Sequence, residues 1–195
     1  MAEIPEGWHR HPNGGGLVQD TARVDDTAYV SPPALVFGSA RVFGSAWVFG
    51  SAWVHDTARV YDTARVYGSA QVGGSALVSG SARVFGSARV FGDASLERTT
   101  DYATIGPIGS RDDTLTMYRT ARGTIELTTG CFRGTYREFI AAVRTTHGKN
   151  EHYAEYREAA SALYRVMVMR GKRFGWLNED AERNAVTNRT GGENA

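Results

Sequence analysis

The chain has 195 residues, with 22 basic and 21 acidic side chains, one cysteine and 42% hydrophobic residues, enough for one domain or two small ones with a sizeable core. Near-neutral charge and the lack of a Lys/Arg run exclude a strongly basic protein that holds nucleic acid mainly by neutralising phosphates, so nucleic acid is not an expected partner. A single cysteine, Cys131, excludes an intrachain disulfide framework and a four-cysteine zinc site, and fits a reducing, cytoplasmic setting. From Met1 to Asn13 there is no apolar stretch of an export signal, and no run approaches the roughly eighteen apolar residues of a membrane span. Asn188-Arg189-Thr190 spells a glycosylation sequon that reads as a chance match without a secretion signal.

From Ala22 to Ala94 an alanine recurs at every sixth residue, and from Val18 to Leu96 a valine or leucine keeps the same step, two residues after each alanine. The unit is Ala-x-Val-x-Gly/Asp-Ser/Thr. Residues two apart on a strand share a face, so Ala and Val point one way while the residues around Val point the other. Gly-Ser or Asp-Thr supplies a corner. A strand this short cannot bury its valine alone; winding the chain lays each strand about 4.8 Å from one a coil earlier and closes a dry Val/Ala interior. The expectation is a solenoid.

The pattern resembles the hexapeptide-repeat family of left-handed parallel β-helices, with Val42-Phe43-Gly44-Ser45-Ala46-Trp47 as one full unit. That resemblance implies a left-handed winding with three hexapeptides per coil, hence a mainly β fold. The implied organisation is a cap over residues 1–16, a β-helix over 17–97, a small α+β module over 98–171 and a mobile tail over 172–195. Residues eighteen apart then stack in columns. One outward face collects Tyr29, Trp47, Phe49, Arg65, Tyr67, Arg83 and Phe85; a second holds Arg23, Arg41, Phe43, Arg59 and Tyr61. The third holds Leu35, Phe37, Trp53, His55, Arg89 and Phe91, interrupted by Gln71 and Gly73. Outward rings in columns form an apolar surface larger than a monomer usually leaves wet. The resemblance implies a homotrimer, with the first face as interface; the alternative is that the rings only brace exposed sheet faces, with arginine stems over them. Acyltransferases of this family carry a catalytic histidine on a loop inserted between coils, which this chain lacks. His55 is the one histidine in the repeats, and with no carboxylate assigned to orient it, it reads as a surface histidine beside Trp53. The family's carbonic anhydrases need three histidines on zinc, which the coils do not supply.

After Leu96 the six-residue step stops. Ala103 to Gly106 reads as a short strand, Pro107 to Asp113 as a loop, and Thr114 to Arg119 with Thr124 to Thr129 as a hairpin. Thr135-Tyr-Arg-Glu138 is a capping box opening a helix that ends at His147-Gly148. A second helix is expected from about Glu151 to Arg170, stopped by Gly171. In the tail, Phe174, Trp176 and Leu177 could tuck back against the body. The words Ile105-Gly-Pro-Ile-Gly-Ser-Arg111, Gly130-Cys-Phe-Arg-Gly-Thr135 and Thr146-His-Gly148 resemble a segment that follows hexapeptide repeats in small bacterial and bacteriophage proteins, which implies a phage or prophage setting and brings no activity with it.

Two turns of this module hold the chemistry of anion binding. Ser110 and Arg111 join a hydroxyl and a guanidinium fork in a glycine-bearing turn. Arg133 and Thr135 repeat the combination at an expected helix N-terminus, with Phe132 able to stack on a flat group such as a nucleobase. The ordinary reading gives glycines for turns, Thr135 for the helix cap, and Arg111 paired with Asp112 or Asp113. Cys131 could be a nucleophile with His147 as its base, but the helix between them separates the two, and a buried apolar cysteine is the plainer expectation. His147 and His152 straddle Gly148 without further metal ligands at readable spacing.

Three functions fit. The first is a non-enzymatic oligomer whose β-helix presents the C-terminal module to an anionic, phosphate- or nucleotide-like ligand or to a host partner, with blunting of host defence as a phage role. The second is an acyltransferase of the hexapeptide type, and the third is a purely structural assembly protein. No catalytic residue, cofactor, metal or membrane is expected for the first.

Overall fold

A computed structural model describes residues 3–178, so the sequon and the expected mobile tail beyond Asn178 lie outside the described residues. The chain divides at Thr99/Thr100 into two compact units. The first is a parallel β-solenoid. Its strands, mostly two residues long, form three sheets in which every parallel pairing joins residues eighteen apart: Leu35 with Trp53, Arg41 with Arg59, Trp47 with Arg65. Backbone bonds bind coil to coil, as in Arg41 N–H to the Ala58 carbonyl (2.9 Å) and Phe43 N–H to the Val60 carbonyl (3.0 Å). The two periods, six along the chain and eighteen between coils, put the valines from Val30 to Val90 and the alanines from Ala28 to Ala88 inside at 0% exposure. Only Val24, in the first coil, is half-buried.

The corners explain the alternation of Gly-Ser and Asp-Thr. From Gly38 to Gly92 each turns through a left-handed residue, glycine at most positions and aspartate at Asp56 (φ 58°) and Asp62 (φ 60°), one of the few non-glycine types that tolerates it. Where aspartate stands, the next coil has glycine, and the side chain ties the two together. Gly74 N–H donates to Asp56 Oδ2 (2.8 Å) while the Thr57 hydroxyl donates to the Gly74 carbonyl (2.9 Å). Asp62 and Thr63 grip Gly80 in the same way (3.0 and 2.8 Å). At Gly74 the coils approach too closely for anything larger, since a Cβ would lie 2.7 Å from Gly92 N.

Strand Trp8–Arg10 runs antiparallel to Leu17–Gln19 and starts the solenoid. Buried His11 donates through Nε2 to the Ala28 carbonyl (2.9 Å), and Asn13 Nδ2 donates to the same oxygen (3.0 Å). These bonds satisfy an end carbonyl that no earlier coil reaches.

The second unit is a four-stranded antiparallel sheet, Tyr102–Ile108, Asp113–Arg119, Ile125–Thr129 and Phe132–Thr135 in that order, with helices α1 (Tyr136–His147) and α2 (Glu151–Phe174). Leu115, Met117, Ile125 and Leu127 of the sheet pack with Phe139 and Val143 of α1 and with Ala160, Leu163 and Met167 of α2. The sheet has one strand more than the three expected. The first continues through Pro107 to Ile108 with a register shift, and a two-residue turn at Gly130-Cys131 folds Phe132–Thr135 back onto Ile125–Thr129. Gly171 does not stop α2, which ends at Gly175 in a left-handed cap (φ 69°). Glycine is required at 171 because the chain after the cap returns across it: a Cβ there would lie 2.8 Å from Leu177 Cβ and 3.1 Å from Trp176 Cη2. Trp176, 8% exposed, completes the core.

If coil stacking carries the stability, Val66→Ala is expected to cost about 2 kcal/mol by urea unfolding. Gln71→Ala, an outward change on the next strand, should stay within about 0.5 kcal/mol. Equal effects at the two positions would contradict an interior filled by every sixth residue.

Candidate functional site

Stacking brings all seven residues of the first outward face onto one side of the solenoid. Tyr29, Trp47, Arg65 and Arg83 form its strand column, and Phe49, Tyr67 and Phe85 the column beside it. Phe49 and Tyr67 stack at 4.8 Å with planes 2° apart, and Tyr67 and Phe85 at 5.4 Å and 18°. Tyr29 and Trp47 meet at 5.0 Å, and the Arg65 guanidinium lies 5.1 Å above the Trp47 ring. Ring spacing follows strand spacing, so each ring covers only its neighbours' faces and leaves its outer edge wet. Trp47 and Phe85 are each 43% exposed.

On the third face His55 stacks on Phe37 (5.1 Å, 12°) and meets Phe91 across the missing side chain of Gly73 (5.7 Å). A Cβ at position 73 would come within 2.8 Å of both His55 Nε2 and Phe91 Cε1. The expectation that no carboxylate orients His55 is corrected: Asp56 Oδ2 stands 3.1 Å from His55 Nδ1. The left-handed turn at Asp56 swings its carboxylate back toward the preceding side chain, which neighbouring positions in a plain strand would not allow. The Gly74 N–H, and after it His55, hold the Asp56 carboxyl below its ordinary value. The imidazole is oriented, but its side chain is only 16% exposed between the rings.

In the second unit the two expected turns do adjoin. Ser110 and Arg111 lie in the single helical turn Gly109–Arg111, and Arg111 Nη1 is 3.9 Å from the point where Gly130 would carry a Cβ. Both Ser110 and Arg111 are exposed. The other members are held by carboxylates or rings of the unit itself. Gly109 N–H donates to Glu155 Oε2 (2.9 Å), and Arg133 Nε donates to Glu126 Oε2 (3.3 Å). Phe132 packs 5.3 Å from Phe139. Thr135 is the helix cap, as its spacing indicates, and its N–H and hydroxyl both donate to Glu138 Oε2 (2.7 and 2.8 Å). The N-terminus of α1 thus already carries an anion, and the bonds from Thr135 hold the Glu138 carboxyl below its ordinary value.

Cys131 is exposed, not buried. It sits in a strand-to-strand turn with Gly130 (φ 53°), ahead of strand Phe132–Thr135 and not at the start of α1. His147 ends α1 with its ring 5.7 Å from those of His152 and Tyr156. Among the described residues no three His, Cys, Asp or Glu side chains are grouped to hold a metal ion, and no helix is long and apolar enough to cross a membrane.

Both depressed carboxyls give the same sign of pH dependence. Their stabilisation is complete above the ordinary carboxylate range and is lost as pH falls through the lower folded values. Melting temperature should therefore fall between about pH 5 and about pH 2, and less steeply in the Asp56→Asn, Glu138→Gln double variant. An unchanged slope would remove both groups from the account.

A family model described as the YdcK beta solenoid repeat matches residues 58–74. No curated protein and no solved structure matches the chain. The matched stretch is just short of one coil and includes the Asp62-Thr63 corner, so over that coil the chain is similar to YdcK beta-solenoid repeats.

Proposed function

We propose that the chain is a non-enzymatic binding scaffold that associates with copies of itself through the Trp47 face, as a homotrimer, and presents its second unit to an anionic small molecule or nucleotide. The observation that supports it is the stacked ring column, half-buried Phe49 and Tyr67 and exposed Phe85, beside exposed Trp47 and Arg65. Aromatic residues and arginine are the types enriched in buried interface centres, where each ring edge would leave water. In the second unit, Ser110, Arg111, Arg133 and Thr135 are all exposed, but Arg133 and Thr135 already serve Glu126 and Glu138, which leaves Ser110 and Arg111 as the ligand residues. The phage setting suggested by the module's sequence words makes a host metabolite or host protein the natural counterpart.

Native mass spectrometry should give a trimer, and Trp47→Glu with Phe85→Glu should give monomers of unchanged circular dichroism. A wild-type monomer at tens of micromolar, or a variant that stays trimeric, would refute the interface. Any retained anion should be lost in Arg111→Ala and kept in Arg133→Ala, because Arg133 already serves Glu126.

The transferase reading is favoured by one observation, the Asp56 carboxylate on His55 Nδ1, which is how a general base is oriented. Acyl-CoA turnover that stops with His55→Ala would select it over the scaffold.

A further inference from the structure

Arg23, Arg41 and Arg59, eighteen residues apart in the chain, occupy consecutive in-register positions of one parallel sheet. Their stems leave the sheet about 4.8 Å apart, and all three side chains are exposed. Like charges in register oppose pairing, so such a column is usually relieved by carboxylates or rings. Carboxylates stand at the neighbouring corners, Asp25, Asp26, Asp56 and Asp62, but none pairs with the column: Asp25 accepts from Gly44 N–H (3.3 Å), Asp56 from Gly74 and Asp62 from Gly80. Among the described residues these three guanidiniums have no ion pair, hydrogen bond or ring partner, unlike Arg65 above Trp47. The whole-chain balance of +1 conceals this concentration, because the fold and not the linear sequence assembles it.

Two residues on from each arginine, and therefore on the same side, runs the column Asp25, Phe43, Tyr61, Ser79. Phe43 and Tyr61 stack at 5.1 Å with planes 7° apart. Beyond this pair stand the short side chains of Asp25, which is exposed, and Ser79, which is buried at 5% exposure, so only the Phe43 end of the stack keeps a ring face beside an open position. Guanidinium forks suit phosphate oxygens, and an uncovered ring face suits an unpaired base. A duplex would use the arginines but leave the rings idle, since its bases are already stacked.

We propose that this face binds single-stranded nucleic acid without sequence preference, with phosphates along Arg23, Arg41 and Arg59 and a base against Phe43, which Tyr61 backs. The test is fluorescence anisotropy of a labelled twenty-nucleotide oligothymidylate with the full chain, repeated across about 50 to 200 mM salt. Three phosphate contacts predict a slope near −2 for log K against log salt, about −0.7 per contact on a single strand. Arg23→Gln, Arg41→Gln, Arg59→Gln together should weaken binding at least ~10-fold and flatten the slope. Glutamine is chosen because Gln71 already occupies an outward strand position. If the triple variant does not fold, Arg41→Gln alone should reduce the slope by about 0.7. Phe43→Ala with Tyr61→Ala should weaken the oligonucleotide ~10-fold while leaving heparin binding unchanged. No wild-type binding at the lowest salt, wild-type affinity in the triple variant, or equal affinity for duplex DNA or heparin with no effect of the ring substitutions would each overturn the proposal.

Discussion

The first unit depends on the burial of a two-residue apolar step that recurs every six residues. A strand of Arg41–Val42 length has too little surface to hide its own valine, so it is stable only with a coil on each side. That requirement fixes the eighteen-residue pairing. The pairing in turn lines up everything that points outward, whether or not the outward residues gain from it. Rings stacked at 4.8 Å and arginines in unrelieved register are both consequences of the same interior.

Because outward positions carry little of the folding free energy, they are free to carry recognition. On one sheet the column begins with Tyr29 and Trp47 and ends with Arg65 and Arg83; on another it is arginine for three coils and then Leu77. The corners from Gly38 to Gly92 are less free, because a left-handed residue and a close coil above it restrict the choice to glycine or to aspartate bonded to the next glycine.

Most of this was legible in the sequence, because a solenoid turns linear period directly into spatial column. The seven residues of the Trp47 face could be grouped by counting once the family resemblance supplied three hexapeptides per coil. What counting missed is rotation within a corner: His55 and Asp56 are neighbours, and only the left-handed φ of Asp56 brings its carboxylate to the imidazole. The second unit has no period, and there local signals did less. The Thr135 capping box was readable, since its partners are three residues apart. Arg133 looked available because Glu126, its partner, lies across a strand pairing that the Gly130-Cys131 turn creates. Gly171 looked like a stop because nothing in the sequence reveals that Trp176 and Leu177 return over it.

The eighteen-residue register can be measured directly with pyrene labels in a Cys131→Ser background. Labels at Arg41→Cys and Arg59→Cys lie on paired strands of one sheet, whereas Arg41→Cys and Trp53→Cys lie on different sheets. With labelled protein diluted in unlabelled chain to suppress contacts between molecules, the first pair should show excimer emission and the second should not. Excimer from the twelve-residue pair, or from neither, would contradict three strands per coil.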